Sequence, residues 1–293
     1  MRWSGPAASI LCWQNKAMRA GLLQLNMTDD PAANLIETRR LVREAAGAGA
    51  DFVLTPEVTN CLTSNRAHQK EVLRLEGEDP TLAGLRAEAA ELKIWLLIGS
   101  LALKTEDTDG RFASRSFLIS PEGAIMARYD KIHMFDLNVS ETEVYRESAG
   151  YRPGEQAVVA RTPLAAIGMT ICYDLRFAYL YWDLAKTETE VLTIPAAFNP
   201  TTGKAHWEIL LRARAIETGC YVLAPAQTGE HRSHSDKPQH SYGHSMVVAP
   251  WGQVLLDAGE APGVSLVDLD LEEVLRARQR VPSLDHDRQF DGP

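Results

Sequence analysis

The tightest constraint on this fold is a recurring word: a short run, apolar at every position, cut off by a proline or a charged side chain. Val53-Leu54 stops at Thr55-Pro56-Glu57, and Val191-Leu192-Thr193-Ile194 stops at Pro195. A strand wetted on one face alternates polar with apolar, so runs apolar throughout must be covered on both faces. Helix-period stretches separate them. In residues 34–47, Leu35, Thr38, Leu41, Val42 and Ala45 fall near one face, Glu37, Arg39, Arg40, Arg43 and Glu44 lie mostly elsewhere, and Gly47 ends the stretch. Residues 81–93, 177–186 and 204–218 read as further helices. Strands are expected at 21–26, 51–55, 94–100, 114–119, 124–129, 165–171, 191–194 and 220–224, with Ser120-Pro121-Glu122-Gly123 as a hairpin connection. The end of the chain reads as a β-meander over 245–249, 253–257 and 263–268, then a helix at 271–279. Strands alternating with helices, without a low-complexity linker, predict one layered α/β domain.

Composition narrows the function. Among 293 residues, 30 Lys+Arg face 39 Asp+Glu, a net charge of −9. That balance argues against a nucleic-acid partner, whose phosphates require a basic face. No apolar run approaches the ~20 residues of a membrane span. Cys12, Cys61, Cys172 and Cys220 are scattered without a C-x-x-C pair, which fits a reducing, cytoplasmic location. Residues 1–17 read as an N-terminal extension. Its Ile10-Leu11-Cys12-Trp13 patch is too short for a secretory signal, and Met18 is an alternative start. The domain is expected over 18–281, followed by a polar tail of low order at 282–293.

Three apolar strands end in chemically active residues: Glu57 in the first, Lys131 after Arg128-Tyr129-Asp130, and Cys172 after Ile167-Gly168-Met169-Thr170-Ile171. Ligands of layered α/β proteins gather beyond strand ends. A carboxylate, an ammonium and a thiol brought together there suit hydrolysis. The ammonium would favour the thiolate, the carboxylate would accept the thiol proton and return it to a leaving amine, and Lys131 with the Tyr173 N–H would hold the oxyanion. Taken singly, each residue has an ordinary role: a buried cysteine, a solvated turn glutamate, a surface lysine beside Asp130.

Together, the words Leu54-Thr55-Pro56-Glu57, Tyr129-Asp130-Lys131-Ile132-His133 and Ile171-Cys172-Tyr173-Asp174-Leu175-Arg176-Phe177 make the chain, from about residue 19 to 271, resemble the nitrilase-related carbon–nitrogen hydrolases. That resemblance implies a four-layer α-β-β-α sandwich. It also implies Cys172 as nucleophile, Glu57 as general base, Lys131 as oxyanion stabiliser, and Glu147 as a second glutamate holding the lysine. Lys131-Ile132-His133-Met134-Phe135-Asp136, Tyr145-Arg146-Glu147-Ser148, Tyr151-Arg152-Pro153-Gly154 and Ser241-Tyr242-Gly243-His244-Ser245-Met246-Val247-Val248 are similar to the branch acting on deaminated glutathione and ω-amides.

The implied reaction is cofactor-independent hydrolysis of a small, carboxylate-bearing ω-amide, with ammonia released through a Cys172 thioester. Arg176, Phe198, Thr202 and Tyr173 would meet the substrate. N-carbamoyl amino acid cleavage, nitrile hydrolysis and a non-catalytic binding protein are the alternatives. The resemblance further implies a homodimer or higher homo-oligomer. Two departures stand out: Ala178-Tyr179 where the family continues Pro-Glu, expected to bear on substrate entry, and Thr218 where asparagine is common. His231, His234, His240 and His244 lack zinc-site spacing, so no metal is expected. Arg212 and Arg214 are expected to pair with Glu208 or Glu217.

Overall fold

A computed structural model describes residues 17–138, 144–233 and 239–292. Residues 1–16 of the extension expected at 1–17, with Cys12, and the stretch 234–238, with His234, therefore lie outside the described residues, while Ala17 begins the first strand. In chain order, β1 (Ala17–Gln24), α1 (Pro31–Gly47), β2 (Phe52–Leu54), α2 (Arg66–Val72), α3 (Pro80–Leu92), β3 (Trp95–Leu103), β4 (Ala113–Ile119) and β5 (Ile125–Asp130) form the first half. A small ribbon follows, β6 (Asp136–Asn138) with β7 (Val144–Arg146). The second half runs β8 (Val158–Arg161), β9 (Ala166–Met169), α4 (Ala178–Ala185), β10 (Val191–Thr193), α5 (Pro200–Thr218) and β11 (Tyr221–Ala224). The hairpin β12 (Thr228–His231) and β13 (Gln239–Tyr242) precedes β14 (Met246–Val248), β15 (Val254–Asp257), β16 (Gly263–Asp270) and α6 (Glu272–Arg280).

Among the described residues, two six-stranded sheets form, ordered β16-β1-β2-β3-β4-β5 and β15-β14-β11-β10-β9-β8. Each has three parallel strands at its centre, β1-β2-β3 and β9-β10-β11. The α1 and α3 helices cover the first sheet, α4 and α5 the second, giving the expected four layers. The strands show why they are apolar throughout. Phe52 and Leu54 join the core that also holds Ile167, Met169 and Leu192 of the second sheet, while Val53 packs with Leu41, Val42 and Leu85 beneath the helices. Burying a large apolar side chain contributes about 1.5–3 kcal/mol, so a one-residue slip would misplace both sets.

Helix starts follow their caps. Asp30 accepts from the Ala32 and Ala33 N–H groups with Pro31 in the first turn, so α1 begins before residue 34. Asn199 caps α5 in the same way ahead of Pro200, which moves that helix start from the expected 204 to 200.

The expected C-terminal meander is corrected. The β14 and β15 strands pair in the second sheet, but β16 crosses to the first, pairing antiparallel with β1 from Ala17↔Asp270 to Gln24↔Gly263. Gln24 draws the connection over by donating to Gly259 O at 2.8 Å and Ala261 O at 3.0 Å, and Leu269 enters the inter-sheet core. The crossing covers an edge that β1 would otherwise leave unpaired. Beyond α6, Leu284 packs on the core and Asp287 pairs with Lys186. No helix among the described residues is long and apolar enough to cross a membrane.

Candidate active site

The turn after β2 aims Glu57 into the space between the sheets. Gly99 of β3 permits that turn, because a Cβ there would lie 2.1 Å from Thr55 O and 2.5 Å from Pro56 O. Val58, next in the chain, holds a left-handed φ of 50°, costly for a β-branched residue. Its N–H donates to Ser100 Oγ and that of Thr59 to Ser100 O, both at 2.9 Å, which fixes the bend. At the end of β5, Asp130 turns outward to Arg115 while Lys131 turns inward and is 2 % exposed. Lys131 therefore does not take the ordinary surface role beside Asp130.

The Lys131 ammonium donates to Glu57 Oε1 at 2.8 Å and to both Glu147 carboxylate oxygens at 2.9 Å. Glu57 Oε2 accepts the Ala197 N–H at 2.9 Å. Glu147 Oε2 accepts the Phe135 N–H at 2.5 Å. Cys172 follows β9 at a φ of 48°, a sharp strand-to-turn corner, with its N–H donating to Pro195 O at 2.9 Å. Its thiol is buried, with the Glu57 carboxylate and the Lys131 ammonium as charged neighbours. The four residues expected to carry the chemistry, Glu57, Lys131, Glu147 and Cys172, thus meet on one wall of a cavity of about 870 Å³.

Their electrostatics correct one expectation. Burial pushes the Cys172 thiol well above its usual range and the Glu57 charge adds to this, while Lys131 opposes and does not prevail. This favours the protonated thiol over a standing thiolate. Burial pulls Lys131 down, but the Glu147 and Glu57 carboxylates outweigh it and hold the ammonium charged. Burial raises the Glu147 carboxyl against the opposing pull of Lys131.

Several supporting residues carried no role in the sequence reading. The buried Asp174 carboxylate accepts from the Tyr129 hydroxyl (2.7 Å), the Ile171 N–H (2.9 Å) and the His133 N–H (3.0 Å), and bonds His133 Nδ1 (2.7 Å). It therefore ties the end of β5, the stretch after Lys131 and the corner before Cys172 to one group. Gln227 Nε2 donates to Glu57 O at 2.9 Å. Asp174 stood inside a quoted word, but nothing local revealed its partners; Gln227 left no signal.

The residues expected to meet substrate are distributed differently. Phe198 lines the cavity and packs on Trp207, ring centroids 4.8 Å apart. Arg176, Tyr173 and Thr202 do not line it. The Arg176 guanidinium stands 5.5 Å from the Phe198 ring centroid and 5.7 Å from that of Tyr173, its Nε and Nη2 buried without hydrogen-bond partners among the described residues. Thr202 sits in the first turn of α5, its N–H donating to the Asn199 cap. The departure Tyr179 bonds His133 Nε2 through its hydroxyl at 2.6 Å, and His133 stacks on Phe177. Thr218 donates back to Arg214 O inside α5, a packing role. Arg212 pairs with Glu208 and Arg214 with Glu217, as expected. Of the histidines, His231 bonds Met27 O and Ser241, His240 lies 3.8 Å from Glu230, and His244 pairs with Asp257. Among the described residues, no three His, Cys, Asp or Glu side chains are grouped to hold a metal.

A four-layer sandwich with these strand-end residues is the architecture of enzymes that cleave carbon–nitrogen bonds, and the carbon-nitrogen hydrolase family model matches residues 19–279. The chain belongs to that family and is a carbon–nitrogen hydrolase acting on amides. It is 35% identical over 274 residues to deaminated glutathione amidase of Yersinia enterocolitica, covering 93% of this chain and 94% of that one. The mouse protein of the same name is 38% identical over 271 residues, covering 90% and 81%. Among solved structures, the C. elegans NitFhit protein superposes with a TM-score of 0.85 at 32% identity, over 94% of this chain and 66% of that longer one. Saccharomyces cerevisiae Nit3, of branch 10 of the nitrilase superfamily, gives 0.80 at 28% identity, over 91% and 95%.

Proposed function

We propose that the chain is a thiol amidase acting on small carboxylate-bearing amides of the deaminated glutathione or 2-oxoglutaramate type. The observation that carries this reading is the Lys131 ammonium fixed between Glu57 and Glu147, with the buried Cys172 thiol lining the same cavity. Glu57 takes the thiol proton as the sulfur adds to the amide carbonyl. Lys131 and the Tyr173 N–H stabilise the oxyanion. Glu57 then returns the proton to the departing nitrogen, leaving a Cys172 thioester that water cleaves with Glu57 as base. Glu147 keeps the ammonium charged and placed. No cofactor enters the scheme.

The leaving group depends on the substrate. A primary ω-amide releases ammonia, as the sequence reading expects, whereas deaminated glutathione, a secondary amide, releases the cysteinylglycine amine. Arg176 lies behind the cavity-lining Phe198, two of its guanidinium nitrogens buried without partners among the described residues; it is assigned to the carboxylate of the acyl half, which it reaches where Phe198 gives way. Phe198 shapes that side, and Thr202 supports it from the first turn of α5. Water and the amide are the small-molecule partners. Exposed Ile209 and Ile216, two turns apart on α5, support a homo-oligomeric assembly. The unpaired Cys61, Cys172 and Cys220 accord with a reducing cytoplasm.

Amine and ammonia release from deaminated glutathione, 2-oxoglutaramate, an N-carbamoyl amino acid and a simple nitrile, with wild type and Cys172→Ala, tests the reading. Cys172-dependent release from either of the first two supports it. Turnover of only the last two overturns the substrate class, and Cys172-independent turnover overturns the mechanism.

A further inference from the structure

The cavity that holds the Lys131 cluster is also lined by the guanidinium of Arg66, at the start of α2. Cations in this cavity are otherwise satisfied by the chain itself. Lys131 faces two carboxylates, and the exposed Arg146 donates to the carbonyls of Leu137 and Tyr145 and to Asn138 Oδ1. Arg66 is different. Its one hydrogen bond among the described residues runs from Nη1 to Gln69 Oε1 at 2.8 Å, a neutral acceptor, and no carboxylate pairs with it there.

Its position is nonetheless built. The guanidinium lies 4.9 Å from the Tyr151 ring centroid and 5.5 Å from that of Phe112, in range for cation–π attraction. Buried Gln69 is itself oriented by donating to Thr63 O at 2.9 Å and the Tyr151 hydroxyl at 3.1 Å, which turns its carbonyl oxygen toward Arg66. Gly150 completes the seat: a Cβ there would fall 1.2 Å from Arg66 Nη2, so the guanidinium fills space that any other residue would occupy. A half-buried, ring-braced cation with no counter-ion among the described residues, opening on the cavity that holds the cysteine, suits an anion supplied from outside. The cysteine end cannot take that anion. There one ammonium already faces two carboxylates, and a third would be repelled.

We propose that Arg66 binds a carboxylate on the leaving-amine half of the substrate, making it a second carboxylate subsite beside the Arg176 assignment. The inference rests on the amidase reading above and deepens it. Arg66 belongs to a cluster with Gln69, Phe112 and Tyr151, Arg176 to one with Tyr173, Phe198 and His206, and the two clusters have no residue in common. Two separated guanidiniums match an amide carrying a carboxylate on each side of its C–N bond, the pattern of deaminated glutathione. An ω-amide that loses only ammonia leaves Arg66 unused.

The test uses deaminated glutathione and the same compound with its glycine carboxylate converted to a carboxamide. Wild type is expected to favour the carboxylate form by about tenfold to a hundredfold in kcat/KM, expressed in KM, the range of a charge-assisted hydrogen bond. Arg66→Met keeps the apolar stem against Tyr151 and Phe112 and is expected to erase that preference, while Arg66→Lys retains part of it. A preference that survives Arg66→Met, or an equal loss on both compounds, overturns the subsite. Equilibrium binding of the two compounds to Cys172→Ala, with and without Arg66→Met, separates this outcome from failure of the amidase reading. An uncleaved pair still discriminated through Arg66 upholds the subsite even where turnover is absent. No discrimination in binding refutes it.

Discussion

Glu147 holds the Lys131 ammonium through both carboxylate oxygens at 2.9 Å, and Glu57 takes the remaining donor direction at 2.8 Å. An ammonium has three N–H donors, so the resting lysine has none to spare. On the proposed mechanism, an oxyanion must displace one arm of the Glu147 grip. Glu147→Gln offers a single acceptor and turns N–H donors toward the ammonium. It is expected to lower kcat by roughly a hundredfold, the scale of a lost oxyanion donor, with little change in melting temperature. Lys131→Met removes the cation and leaves two buried carboxylates facing each other, which adds a stability loss of about 3–5 kcal/mol measurable by denaturant titration.

The relation of Glu57 to Cys172 separates thiol reactivity from turnover. Burial and the Glu57 charge hold the thiol pKa high, against Lys131. Alkylation of Cys172 by iodoacetamide is therefore expected to be slow at pH 7 and to climb with pH beyond the range of an ordinary thiol. Glu57→Gln removes the opposing charge and leaves Lys131 in place, so alkylation at pH 7 should accelerate. Amide turnover in the same variant should fall by two or more orders of magnitude, because the proton acceptor is gone. Slower alkylation in Glu57→Gln would contradict this account.

Asp174 anchors the corner from behind. It receives the Tyr129 hydroxyl and the Ile171 and His133 N–H groups within 3.0 Å while fully buried. Asp174→Ala strands those donors, at about 1–3 kcal/mol for each left unsatisfied. The expected result is a melting temperature lowered by several degrees and a kcat loss larger than any KM change, since Ile171 and Lys131 both lose their reference point. Asp174→Asn, which keeps an acceptor oxygen, should recover part of the stability.

What could be read before folding follows from how far each interaction reaches. The strand-end words around Glu57, Lys131 and Cys172 are local, because an apolar run and its abrupt end lie within a few residues, and the strands they end did form. Pairings across the chain left no such mark. Glu57 bonds Ala197 and Gln227, 140 and 170 residues away, and Asp174 reaches His133 across 41. The path of β16 was hidden for a related reason. Its short connection from β15 suggests a hairpin neighbour, and only the need to cover the β1 edge, with Gln24 holding the crossing, sends it to the other sheet. Arg66 was illegible because a lone arginine at a helix start signals nothing until Gly150, Gln69 and Tyr151 close around it.

His231 ties acid stability to the neighbourhood of the cavity. It is buried, with Nδ1 donating to Met27 O at 2.9 Å and Nε2 bonded to Ser241 Oγ at 2.8 Å, which the neutral ring satisfies by accepting the hydroxyl proton. Burial lowers its pKa to about 4, whereas the unfolded chain titrates near 6.5. Between those values the unfolded state binds the extra proton, so stability is complete above about pH 6.5 and is lost as pH falls toward 4, by up to about 3 kcal/mol. Urea unfolding across pH 4–7 should show that slope in wild type, and His231→Gln, which keeps a donor and an acceptor without titrating, should flatten it. Ser241 lines the cavity, so protonation, which reverses its bond to His231 and turns its hydroxyl away, should also raise KM over the same interval. An equal slope in both proteins would place the acid sensitivity elsewhere.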